Sequence, residues 1–119
     1  MREFREAWEA VDVARIVALL SDDALLTMPP EAMRIVGADS IGAFFGTVPA
    51  EGDLERIRLL ETRSNGQPAL AAYLAGADDV FHPYGVMVFS LDGGTITGIT
   101  GFADFPTLVP RFGLPEQLG

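Results

Sequence analysis

The stretch VDVARIVALLSDDALLTMPP, Val11 to Pro30, decides the fold. Val11, Ala14, Ile16, Val17 and Leu20 recur at three- and four-residue steps, which marks the buried face of a helix. Phe4 and Trp8 upstream fall on the same stripe, so the pattern predicts a helix over residues 3–20. Asp12 is placed to start a second helical segment at a kink, because a carboxylate at an N-cap accepts from a first-turn N–H. Ser21-Asp22-Asp23 ends the helix. Ala24 to Met28 then reads as a short strand stopped by Pro29-Pro30, since proline has no N–H for a ladder.

Working outward, Gly37-Ala38-Asp39-Ser40 is a turn, with Asp39 or Ser40 placed to cap a short helix through Phe45. Beyond a loop at Pro49 to Asp53 the period changes from helical to strand-like. Leu54 to Ser64, Gln67 to Leu74, Val80 to Leu91 and Thr95 to Phe105 are the predicted strands. They are separated by turn signals at Asn65-Gly66, Gly76-Ala77-Asp78-Asp79 and Asp92-Gly93-Gly94. The tail, broken by Pro106, Pro110 and Pro115, reads as coil or a short helical turn. Helices first and a four-strand meander after predict one α+β domain over residues 1–119, with the helices packed on one face of a curved, mostly antiparallel sheet.

The bulk properties suit such a domain. The chain has 119 residues, 49% apolar and 21% charged, enough for one sizeable core. A net charge of −9, with eight scattered basic residues, argues against direct binding to nucleic acid or anionic membranes. The absence of cysteine excludes disulfides, thiolate metal sites and a cysteine nucleophile, and fits a cytoplasmic setting. No segment reads as a membrane span, and Glu3, Glu6 and Glu9 are unlike a signal peptide. No group of residues has metal-ligand spacing, and no cofactor is expected.

The Val11–Pro30 segment, GADSIGAFF (Gly37 to Phe45) and GGTITGITGFAD (Gly93 to Asp104) resemble the NTF2-like (SnoaL-like) superfamily of ketosteroid isomerases and polyketide cyclases. The resemblance implies a cone, with an apolar pocket between the helices and the curved sheet. TRSNGQPALAAYL (Thr62 to Leu74) and PRFGLPEQL (Pro110 to Leu118) are similar to the SnoaL-like C-terminal domain of actinobacterial extracytoplasmic-function (ECF) sigma factors. The sigma domains that bind core polymerase and promoter DNA have no counterpart in this sequence. It is therefore expected to be an excised domain or a free-standing relative.

The resemblance also locates the isomerase groups. The carboxylate base falls on Met28, the tyrosine donor on Phe4, and the protonated acid at or near Met87. All three are apolar, which disfavours isomerase chemistry of that kind. Asp104 matches an aspartate that SnoaL-type cyclases use as acid/base, and strand alternation gives it one face with Phe102. The plain alternative is a carboxylate at a solvent edge. His82, the only histidine, is a weaker acid/base candidate, expected on one strand face with Tyr84, Val86 and Val88. Arg63 has a cross-strand ion pair as its ordinary role.

The expected pocket residues are Phe4, Trp8, Met28, Phe45, Tyr73, Met87 and Phe102. Several of these, with Phe44 and Met33, equally suit a plain core. Three functions stay open on these grounds. One is a ligand-sensing or regulatory domain that binds a small apolar molecule, sigma-factor domains or RNA polymerase. Another is a SnoaL-like enzyme on a hydrophobic substrate with Asp104 as acid/base. The third is a filled cone that only dimerises. Alternating strands are expected to leave an apolar outer sheet face bare in a monomer, and hence to favour a homodimer.

Overall fold

The helix predicted over residues 3–20 is two helices, α1 (Arg2–Glu9) and α2 (Val13–Ala18). In the computed structural model, residues 2–28, 33–47, 53–64, 66–78 and 80–102 are described. The break has a definite chemistry. Val11 adopts φ 56°, its N–H bonds to the Trp8 carbonyl at 2.9 Å, and the Asp12 N–H bonds to the Ala7 carbonyl at 2.9 Å. That is a Schellman ending, with a valine where glycine is usual. Asp12 then caps α2 as expected, its carboxylate accepting from the Arg15 N–H at 3.1 Å.

Next come β1 (Leu20–Thr27), β2 (Arg34–Val36) and α3 (Ala38–Phe45). A single 3-10 turn at Leu54–Arg56 leads into β3 (Ile57–Ser64), followed by β4 (Gln67–Ala75), β5 (Phe81–Asp92) and β6 (Thr95–Phe102). The described strands form one sheet of order β2-β1-β6-β5-β4-β3. β3 to β6 are the predicted meander. β1 joins it parallel to β6, and β2 runs antiparallel to β1. The architecture is α+β, as expected.

Several element boundaries differ from the sequence reading. β1 starts at Leu20 and runs through Ser21-Asp22-Asp23, because a register shift between Leu20 and Leu25 lets the polar residues bulge outward while Leu20 and Ala24 stay buried. α3 is preceded by Gly37 at φ 103°, so neither Asp39 nor Ser40 is its cap, and Asp39 falls in the first turn. β3 begins at Ile57 rather than Leu54, whose buried side chain sits in the 3-10 turn.

Residues paired across neighbouring strands share a sheet face. Leu70 pairs with Met87 and Met87 with Gly101, while Ala72 pairs with Leu59 and Gly85. This inner face packs on the helices in one cluster that contains Phe4, Trp8, Ile16, Ile41, Phe45, Leu59, Leu70, Met87, Phe89 and Ile99. Burying each large apolar side chain of this kind contributes roughly 1.5–3 kcal/mol. The outer face carries a second cluster of Ala69, Ala71, Tyr73, Val86 and Val88, flanked by Leu60, Phe81 and Phe102. The bare outer face expected of a monomer is not found there. Tyr73 and Val86 are 0% exposed within the single chain.

α2 and α3 meet closely at Gly42. A Cβ placed on it would lie 2.3 Å from Val17 Cγ2, so only glycine fits without a shift. This contact brings α3, whose last residue is Phe45, close against α2.

Candidate ligand site on the inner face

α1 presents Phe4 and Trp8 one turn apart, both buried against the sheet. Their rings lie 6.0 Å apart. Phe45 closes on both, edge-on to Trp8 at 5.1 Å and to Phe4 at 6.1 Å. Phe89 meets Phe4 edge-on at 4.9 Å, which joins the aromatic group to the floor of the sheet. Such edge-to-face pairs add to the area term and hold the rings in defined orientations.

Met87 belongs to this cluster and is 8% exposed. Met28 follows β1 and lies on the same side, because a Cβ on Gly101, the partner of Met87, would sit 3.4 Å from Met28 Cγ. Phe4, Trp8, Met28, Phe45 and Met87 are thus all on the inner side. Tyr73 and Phe102, expected with them, are on the outer side, where Phe102 pairs with Val86. Asp104 lies outside the described residues, and its alternation partner Phe102 does not face the concave wall. Arg63 donates to the Gly66 carbonyl at 3.3 Å within its own hairpin.

His82 corrects another expectation. A bulge between Ala72 and Tyr73 shifts the register, so His82 pairs with Leu74 on the inner side while Val86 and Val88 face outward. His82 is exposed and has a partner that the sequence reading missed. Its Nε2 lies 3.1 Å from Asp78 Oδ2. The Val80 N–H, which donates to Asp78, and then His82 hold the Asp78 carboxyl below its ordinary range. The only sequence signal for this pair was a four-residue spacing across a turn. Among the described residues no group of acidic or histidine side chains could hold a metal ion.

Burial raises the Tyr73 hydroxyl above its ordinary pKa. The polar chemistry around the inner cluster is sparse. Arg5 Nε stands 3.3 Å from Glu61 Oε2 without the alignment of a hydrogen bond, tying α1 to β3. Beside that pair an open groove of about 450 Å³ runs between the start of α1 and the β5–β6 turn, lined in part by Glu3, Glu61 and Leu91. Trp8 Nε1 is buried with no hydrogen-bond partner among the described residues. The arrangement can enclose apolar surface, and none of the buried side chains of the inner cluster carries a group that exchanges protons as an acid or base.

Helices laid on the inner face of a curved mixed sheet define the NTF2-like fold. An NTF-2 like protein of unknown function from Burkholderia xenovorans LB400 superposes with TM-score 0.69 at 17% identity, covering 87% of this chain and 78% of that one. The Δ5-3-ketosteroid isomerase from Mycobacterium sp. superposes with TM-score 0.58 at 18% identity, covering 88% and 90%. The chain belongs to the SnoaL-like domain family, whose model matches residues 1–99. It is 36% identical over 115 residues to the ECF RNA polymerase sigma factor SigG of Mycobacterium tuberculosis (strain ATCC 25618 / H37Rv), covering 94% of this chain. The match spans only 30% of that sigma factor's length.

Proposed function

We propose that this chain is a ligand-sensing or regulatory SnoaL-like domain that takes a small apolar molecule between its helices and the inner face of its sheet. The observation that carries the reading is the inner cluster itself. It gathers three aromatic rings from two helices, Phe4, Trp8 and Phe45, over a sheet floor with Met87. At the positions where the family resemblance locates isomerase groups, only Phe4, Met28 and Met87 stand. A site of this kind binds by burial, with methionines that adapt to shape.

Similarity to a sigma factor supports a regulatory role, exerted on sigma-factor domains or RNA polymerase in the cytoplasm, in cis or in trans. No described helix is long and apolar enough to cross a membrane. Homodimerisation is part of the proposal. Pairing across the outer face would have to displace cover that Tyr73 and Val86 already have in one chain. The test is native mass spectrometry of protein purified from its own organism. A retained small molecule of one defined mass supports the reading. Protein that turns over a hydrophobic substrate, with activity lost in Asp104→Asn, would replace it with the enzymatic alternative.

A further inference from the structure

The single chain already covers the outer sheet face at Tyr73 and Val86, so a second copy needs another surface. The described sheet is open and has two edges, β2 and β3. β2 is three residues long, too short for a specific seam. β3 is eight residues long and pairs with β4 in unbroken register from Ile57↔Leu74 to Ser64↔Gln67. Among the described residues no strand lies on its other side. Alternate N–H and C=O groups of β3 therefore point away from β4. Proline and bulges, common devices against edge pairing, are absent from β3. Its protection is charge, from the exposed Arg58, Glu61 and Arg63.

We infer that β3 is the homodimer interface: two copies pair antiparallel along it, about a twofold axis at Thr62, and join their sheets into one. This inference rests on the homodimer proposed above and assigns its surface. The register follows from charge. A twofold axis perpendicular to the sheet keeps both inner faces on one side, so it must pass through a residue position. With the axis at Glu61 or at Arg63, like charges stand directly opposite, which is destabilising. With the axis at Leu60, Glu61 faces the partner's Leu59 and Arg63 the partner's Ile57, and neither charge is answered. With the axis at Thr62, each Glu61 stands opposite the partner's Arg63, and residues 60–64 of the two strands are paired. Glu61 suits this because its Oε2 is turned to Arg5 at 3.3 Å, which leaves its second oxygen for the partner. Arg63 suits it because its one contact, from Nη1 to the Gly66 carbonyl at 3.3 Å, uses only part of its donor fork. An open hollow of about 310 Å³ lies at the same place, lined by Glu61, Thr62, Arg63 and Pro68, and gives the incoming side chains room. The seam is short, so the dimer is reversible and salt-sensitive.

Because the chain has no cysteine, Thr62→Cys reports on the axis alone. Positions directly opposite on antiparallel strands bring their Cβ atoms to about 4.5–5.5 Å, within reach of a disulfide after a small adjustment. Thr62→Cys is oxidised with glutathione disulfide and compared on a non-reducing gel with Val36→Cys, an exposed position on the β2 edge. Thr62→Cys should run as a covalent dimer and Val36→Cys as a monomer. Sedimentation equilibrium then tests the charges. Arg63→Glu sets carboxylates opposite one another twice and should weaken the dimer about tenfold or more at low salt. Glu61→Arg should do the same with guanidinium groups. Mixed in equal amounts, the two variants should form a heterodimer, since each facing pair is again of opposite sign. If Glu61→Arg does not fold beside Arg5, the Thr62→Cys and Arg63→Glu results still decide. A dimer that Arg63→Glu leaves intact, or that crosslinks through Val36→Cys and not Thr62→Cys, overturns the inference and leaves the homodimer standing. A wild-type monomer at about 100 μM overturns both.

Discussion

Gly42→Ala tests the packing that holds Phe45 against Trp8. In the middle of a helix, replacing glycine by alanine gains about 1 kcal/mol of propensity. Here the new Cβ would lie 2.3 Å from Val17 Cγ2 and 3.5 Å from Val13 Cγ1, so no direction along α2 is open. Ordinary contact begins at 3.4 Å, and the missing distance exceeds an ångström. Val17 is β-branched and strongly prefers one rotamer in a helix, so turning it costs roughly 0.5–1.5 kcal/mol. Sliding α3 away from α2 costs typically about 1–3 kcal/mol in lost packing. The clash outweighs the propensity gain, and Gly42→Ala should destabilise the domain by about 1–2 kcal/mol in urea titrations followed by Trp8 fluorescence. The control is the same change in a Val17→Ala background. With the obstructing methyl gone, Gly42→Ala should turn stabilising by about 1 kcal/mol, a coupling that a double-mutant cycle isolates. If Gly42→Ala alone raises stability, the close approach of the two helices is wrong, and with it the placement of Phe45.

Asp12→Ala removes the α2 cap and should cost about 1 kcal/mol by urea denaturation, with Asp12→Asn nearly neutral. Asp78, held below its ordinary 3.8 by the Val80 N–H and His82, contributes stability that is present above that value and lost as pH falls through the lowered one. The stability advantage of wild type over Asp78→Asn should therefore be full well above pH 3.8, shrink as pH falls below 3.8, and vanish only below the lowered value, as read from melting curves across that range. Light scattering at about 100 μM should give twice the chain mass, and a monomer there would remove the homodimer from the account.

How much was legible in the sequence follows from what was local. Phe4 and Trp8 stood on one helix face because their spacing alone says so. Asp12 announced the kink by its capping chemistry. The β3–β6 meander was marked by Gly66, Gly93 and Gly94, all at positive φ in the structure. β2 went unseen because three residues with only Ile35 half-buried carry no pattern. The parallel pairing of β1 with β6 joins segments far apart in the chain, and no local signal sets that register. Tyr73 and Phe102 were assigned to the wrong face for a physical reason. β4 runs Ala69-Leu70-Ala71-Ala72-Tyr73 with both faces buried, so alternation does not say which face is concave. The bulge at Ala72/Tyr73 then carried His82 to the side opposite Val86, and one extra residue in a strand leaves no trace in its composition. Asp104, the acid/base candidate, lies outside the described residues.

The central claim is that an apolar molecule enters the inner face beside Trp8. Titration with Nile red, read through energy transfer from the single tryptophan, tests it most directly. The account predicts saturable binding of about one dye per chain, with Trp8 emission quenched in step, as expected of one enclosed site. A dye that binds without quenching Trp8, or that does not saturate, would place apolar binding elsewhere and contradict the account.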